Sequence, residues 1–239
     1  MVWPRWADNR QQIMRVRLAF FVLAVLLLLL AACAPPPELR NNALLQDRSL
    51  VTGEPCGPPC FRGIIPGETR WNDALTVIED DPQFTNVQTQ QAEDSDLVQA
   101  AWQDGNGQLC CQMISEDGEI VSGIFLLTAP TMTLGDLIRA HGEPAYLTGT
   151  EFTADQAVVN LFYPDIPMIV YAFIAGIENG VLSSSSEIVG AVYLTPDQMD
   201  LFIQTLNLYR WDGMKAYSQY AANEFDVTPS VTLTPAPAQ

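Results

Sequence analysis

Four cysteines, Cys56, Cys60, Cys110 and Cys111, and the single histidine, His141, are the residues best suited to redox, metal or nucleophilic chemistry. The C-x3-C spacing of the first pair is not the C-x-x-C of thiol oxidoreductases, and adjacent cysteines suit a tetrahedral zinc site poorly. His141 falls at a predicted helix end, where a protonated ring complements the helix dipole. A Ser-His-Asp arrangement would have to use it, yet Ser183–Ser186 reads as a loop and no G-x-S-x-G elbow, phosphate-binding loop or metalloprotease helix is present. The carboxylates offer no identifiable glycosidase pair. Glu79-Asp80-Asp81 and Glu93-Asp94-x-Asp96 lack the regular ligand spacing of a calcium loop. The reading therefore assigns no catalytic residue, no metal ligand and no cofactor.

The chain's first segment sets its compartment. Leu18 to Ala32 is uniformly apolar, shorter than the ~20 residues a membrane-crossing helix needs. Arg15 and Arg17 precede it and small Ala31 and Ala32 close it, the layout of a secretory signal peptide over residues 1–32. Met14 opens a conventional basic n-region and is a candidate initiator. Setting aside the first 33 residues, which hold Arg5, Arg10, Arg15, Arg17 and Asp8, leaves 7 basic and 27 acidic side chains. A surface so negative repels phosphate backbones, which excludes nucleic acid as the expected partner.

In an exported chain an even set of cysteines points to disulfides. Four cysteines allow three complete pairings. A Cys56–Cys60 bridge must close over Gly57-Pro58-Pro59, and a polyproline path would span roughly 12 Å, beyond disulfide reach. A Cys110–Cys111 bridge would distort the strand expected there, in which Leu109, Cys111 and Met113 face inward and Cys110 outward. The favoured pairing ties the 56–60 segment to that strand.

The elements that would position these residues follow from periodicity. Residues 33–54 read as a polar tether. A helix begins near Trp71, with Thr69 as its cap and Trp71, Ala74, Leu75 and Ile78 on one apolar side, and ends before Pro82. After a polar connection come three strand-like runs, Leu97–Gln103, Gln108–Ile114 and Ile120–Leu127, separated by Asp/Asn-Gly turns. The order recurs: Thr133 and Asp136 are spaced as a capping box ahead of Leu134, Leu137 and Ile138, and then Val158–Tyr163, Met168–Phe173 and Glu187–Leu194 read as strands. Pro196–Leu206 and Trp211–Tyr220 read as C-terminal helices, and residues 226–239 as a Thr/Pro-rich disordered tail. The expected fold class is α+β: two tandem units, 55–129 and 130–225, each a helix followed by a three-stranded antiparallel meander. One seven- or eight-stranded domain is the alternative. Of the aromatics Trp71, Trp102, Phe162, Tyr163, Tyr171 and Phe173, most should be core, and any facing outward on a sheet could contact a partner.

Leu30-Ala31-Ala32-Cys33 resembles the lipobox of bacterial lipoproteins, which implies that Cys33 becomes the lipidated first residue of the mature chain. "GETRWNDAL…P" and "TMTLGDLI…GEP" resemble the start of the SmpA/OmlA-type lipoprotein of the outer-membrane barrel assembly machinery. The tandem form is similar to the β-lactamase-inhibitor-protein fold. Pro58-Pro59-Cys60-Phe61-Arg62-Gly63-Ile64-Ile65-Pro66-Gly67-Glu68-Thr69 is similar to the entry segment of other bacterial lipoproteins. The likeness covers about 60–195; Asn72 stands where the pattern has an acid and Thr131 where it has Gly. It implies a non-catalytic adaptor that binds another envelope protein, held by lipid to the cell membrane or outer membrane on the extracytoplasmic side. A spacer lipoprotein and an acidic envelope hydrolase are the alternatives.

Overall fold

The computed structural model describes residues 39–93 and 95–229, so the signal-like run and Cys33 lie outside the described residues. In chain order the elements are α1 (Ser49–Thr52), α2 (Trp71–Asp80), β1 (Phe84–Gln91), β2 (Val98–Asp104), β3 (Leu109–Ser115), β4 (Gly123–Thr133), α3 (Leu134–His141), β5 (Tyr146–Thr153), β6 (Gln156–Tyr163), β7 (Met168–Ile174), β8 (Glu187–Leu194), α4 (Pro196–Thr205), β9 (Tyr209–Arg210) and α5 (Tyr217–Ala221). All nine strands join one antiparallel sheet in the order β1-β2-β3-β4-β8-β7-β6-β5-β9.

This overturns the expected α+β pair of tandem helix-plus-three-strand units, 55–129 and 130–225. The protein is mainly β, and its strands form a single sheet. The join is between β8 and β4, which runs on past its expected end at Leu127 to Thr133. The two strands pair from Gly123↔Leu194 to Leu127↔Gly190, and again at Met132↔Ile188 and Thr133↔Glu187. Two strands were also unforeseen, β1 in the expected polar connection and β5 after α3. The expected helix Trp211–Tyr220 is reduced to α5, with Tyr209–Arg210 pairing as β9 against β5.

The sheet's inner face carries most of the core. Trp71, Ala74 and Ile78 of α2 and Leu134 and Leu137 of α3 pack with Trp102, Met113, Ile124, Leu161, Val170 and Tyr193 from the strands. The capping box stands as read: the Thr133 hydroxyl accepts from the Asp136 N–H, and the Asp136 carboxylate accepts from the Thr133 N–H. Thr69 is not the cap of α2. Its hydroxyl accepts from the Ile65 N–H at 2.8 Å and shapes the entry turn, leaving Arg70 at the N-cap position.

Nor is the whole of 33–54 a tether, because Leu44, Leu45 and Leu50 are buried in the same core. Apolar spacing over so short a run has no period to betray it. Arg62 fastens this entry segment from a left-handed backbone position, φ 53°. Its guanidinium lies 3.4 Å from Asp47 and 3.5 Å from Asp81, donates to Gln83 at 2.7 Å, and stacks over the rings of Phe61 and Phe84.

Turn chemistry holds the hairpins in register. The Asp104 carboxylate accepts from the Asn106 and Gln108 N–H groups, both at 2.9 Å. Asp117 accepts from the N–H groups of Ile120 and Glu119 and from the Ser115 hydroxyl, and these donors, Ile120 foremost, hold its carboxyl below the usual carboxylate range. A carboxyl depressed in the folded state adds stability above its unfolded pKa and loses it as pH falls through the folded one. In an NMR acid titration the Ile120 and Glu119 amide shifts should therefore move with a midpoint below ~3.9. A midpoint at or above that value would contradict the turn as described.

Candidate binding site on the outer face of the sheet

The opposite face of the sheet is covered over only part of its width. There α4 lays Met199, Phe202 and Ile203 against Phe162, Ile169, Val192 and Leu194, with Leu208 buried beside them. Thr195 caps the helix through the Gln198 N–H, and Pro196 occupies its first turn. Phe125 and Tyr171 flank this cluster half-buried. Beyond them opens a cavity of about 210 Å³ lined by Leu109, Cys110, Cys111, Phe125, Leu127 and Tyr171. Leu109 and Leu127 are 55% and 44% exposed, high values for side chains with no polar atom.

One wall of this cavity is a disulfide between neighbours in sequence, Cys110–Cys111, with Cα atoms 3.7 Å apart. The expected pairing, from the 56–60 segment to this strand, is therefore overturned: the other bridge is Cys56–Cys60, Cα–Cα 5.7 Å. Both objections to local bridges fail for a local reason. Gly57-Pro58-Pro59 closes into a tight turn, the Cys60 N–H donating to the Gly57 carbonyl at 3.0 Å, and so does not follow the polyproline path. In β3, Trp102 faces Cys111 while Gln103 faces Leu109, so Cys110 is the extra residue of a β-bulge, and the bulge accommodates the adjacent bridge. It also sends Leu109 out to solvent, where a regular strand would have turned it inward with Cys111 and Met113.

The floor of the cavity depends on a missing side chain. A Cβ at Gly190, on β8, would lie 2.5 Å from the Leu126 carbonyl oxygen, 3.1 Å from the Tyr171 ring and 3.5 Å from Leu127. Only glycine lets Tyr171 and Leu127 lie down over the β4–β8 seam. Burial pushes the Tyr171 phenol above its ordinary pKa, so it stays neutral throughout the physiological range. The wall thus offers mainly aliphatic, aromatic and disulfide surface, with the neutral Gln112 amide at its edge and no ionised group among the lining residues. At this volume it suits one bulky apolar side chain or ring, being below the ~300–1,000 Å³ of sites for drug-sized ligands.

Two other depressions are larger but differ in kind. One of about 310 Å³ lies between Gly67, the Asp117 turn and the start of α4. Two of its three carboxylates are engaged, Asp117 by the turn and Glu116 by the Gln198 amide at 2.7 Å, and the third, Asp197, lies in the first turn of α4. The other, about 420 Å³ around Arg70, Asp73 and Glu119, has a mainly polar lining. Among the described residues, the carboxylates with a shifted ionisation, Asp117, Asp136 and Asp212, all shift downward, each held by hydrogen-bond donors. A hydrolase acid would need the reverse.

His141 lies on the last turn of α3, its Nε2 2.5 Å from the Leu50 carbonyl oxygen, so its position ties α3 to the entry segment. Among the singled-out aromatics, Trp71, Trp102, Phe162 and Tyr163 are buried and Tyr171 reaches the cavity. Phe173 lies under the Arg40 guanidinium, which pairs with Glu187. The reading of the sequence missed Leu109, Phe125 and Leu127. Their signal lies in "GIFLLT": with Ile124 and Leu126 turned inward, period-two alternation puts Phe125 and Leu127 on the face that should be polar if it met only water. No family model matches the chain, and neither a curated protein nor a solved structure matches it.

Proposed function

We propose that this is a lipid-anchored cell-envelope protein that binds another envelope protein through the outer face of its sheet and catalyses no reaction. The open apolar cavity between Leu109, Phe125, Leu127 and Tyr171 carries the reading, because a half-covered sheet face of this kind otherwise meets water. A bulky side chain from the partner fills the cavity, and the disulfide and the two aromatic rings hold it by contact area. The signal-like run and the lipobox resemblance at Cys33 support the anchor and the extracytoplasmic location.

The test is in-cell crosslinking from a photoreactive residue placed at Leu109 of the full-length chain. A discrete envelope protein should be captured, and Leu127→Asp should reduce its yield by about tenfold or more, as expected for loss of a hydrophobic anchor. Cys33→Ala should leave the chain unlipidated. Capture no different from that of a tether-only control, or undiminished by Leu127→Asp, would overturn the binding reading. Lipid still attached to the Cys33→Ala chain would overturn the anchor.

A further inference from the structure

The two edges of the sheet are finished differently. At one, β9 is two residues long, and Leu208 beside it exchanges backbone hydrogen bonds with Val227 at 3.0 and 3.1 Å, so the terminal segment covers that edge. At the other, β1 runs for eight residues, and the side chains of Gln88, Thr89, Gln90 and Gln91 are all exposed.

The backbone direction along this open edge follows from one hydrogen bond. Ala92 N–H donates to Leu97 O at 2.9 Å, continuing the Gln91↔Val98 register. Bonded and non-bonded pairs alternate in an antiparallel ladder, so Gln90 and Gln88 bond to β2 while the N–H and C=O of Thr89 and Gln91 point away from the sheet. Exposed edges are ordinarily blunted by Lys, Pro or a bulge. From Phe84 to Ala92 there is no charged residue and no proline, and the bulge, between Thr85 and Gln88 with Asn86 at φ 52°, sits at the opposite end of the strand. Exposed carboxylates bracket the strand, Asp80 before it and Glu93 and Asp96 after it.

We propose that β1 is a docking edge that takes one extended segment of a partner protein as a tenth strand, a segment with an uncharged β-forming middle and Lys or Arg at its ends. Main-chain hydrogen bonds to Thr89 and Gln91 supply the attachment, and the bracketing carboxylates select basic ends. A second copy of this chain is the poorer occupant, since no Lys or Arg lies between Arg70 and Arg139 to meet the bracketing carboxylates. This surface is separate from the cavity on the outer face and does not depend on it.

The probe is a synthetic peptide of alternating Thr and Val with two lysines at each end, added to the full chain in detergent and followed by amide hydrogen exchange. Protection of the Thr89 and Gln91 amides should rise by about tenfold or more at saturation, and affinity should fall as salt is added. Thr89→Pro should abolish binding while leaving the β1–β2 ladder intact, because the N–H it removes faces outward. Glu93→Lys combined with Asp96→Lys should weaken the lysine-ended peptide and admit its glutamate-ended counterpart. Leu127→Asp should change none of this. The proposal is overturned if the two peptides bind alike, if Thr89→Pro binds as well as the parent, or if the edge amides are already protected in a self-associated chain without peptide.

Discussion

Replacing Trp102 with alanine should cost about 3–5 kcal/mol of folding stability, the range for emptying a fully buried indole site. Trp102 is wholly buried, meets the Phe84 ring edge-on at 5.9 Å, and sits opposite Cys111 in the ladder. Phe84 in turn contacts Phe61, which brings the entry segment into the same cluster. The void would therefore lie where β1, β2 and the entry loop converge, and little of the surrounding backbone is free to collapse into it. The indole N–H has no acceptor among the described residues, so Trp102→Phe removes a buried unpaired donor along with some volume and should cost much less. Urea unfolding followed by circular dichroism measures both variants. An alanine penalty below ~1 kcal/mol would mean that the ring is not packed as described.

Gly190→Ala should destabilise by about 1–3 kcal/mol, the usual cost of an added methyl group where none fits. Its nearest obstacle is the Leu126 carbonyl oxygen at 2.5 Å, a backbone atom of the neighbouring strand that cannot rotate aside. The strain falls on the β4–β8 seam, so hydrogen exchange at the Ala191 and Val192 amides should accelerate more than exchange in β2. Tyr171 and Leu127 must shift as well, so this variant should also lose the partner captured from Leu109. Stability within ~0.5 kcal/mol of the parent would show that the seam is looser than described.

Much of the local structure was readable because its cause is local. Leu134, Leu137 and Ile138 repeat at helical spacing behind a Thr133–Asp136 capping box, and Asp-Gly turns announce hairpins wherever they separate apolar runs. β1 escaped notice because "FTNVQTQQ" buries only its first residue fully, so no alternation marks it. β5, "YLTGTEFT", fully buries only Leu147 and is equally silent. The joining of all strands into one sheet rests on β4 pairing with β8, more than 50 residues away along the chain, and no short window records such a choice. The cavity stayed hidden for a related reason. Its walls come from β3, β4 and β7, and its disulfide depends on a bulge that regular alternation would have ruled out.

The two disulfides span sequence separations of only 4 and 1. Mechanically, the described chain is an almost uncrosslinked thread. Pulled from its ends, it could lengthen toward its full contour of ~3.3–3.6 Å per residue with just two tiny loops held back. Load passing from one terminus to the other would be borne by ladder hydrogen bonds and packed side chains, which yield and re-form, with no covalent shortcut to carry it.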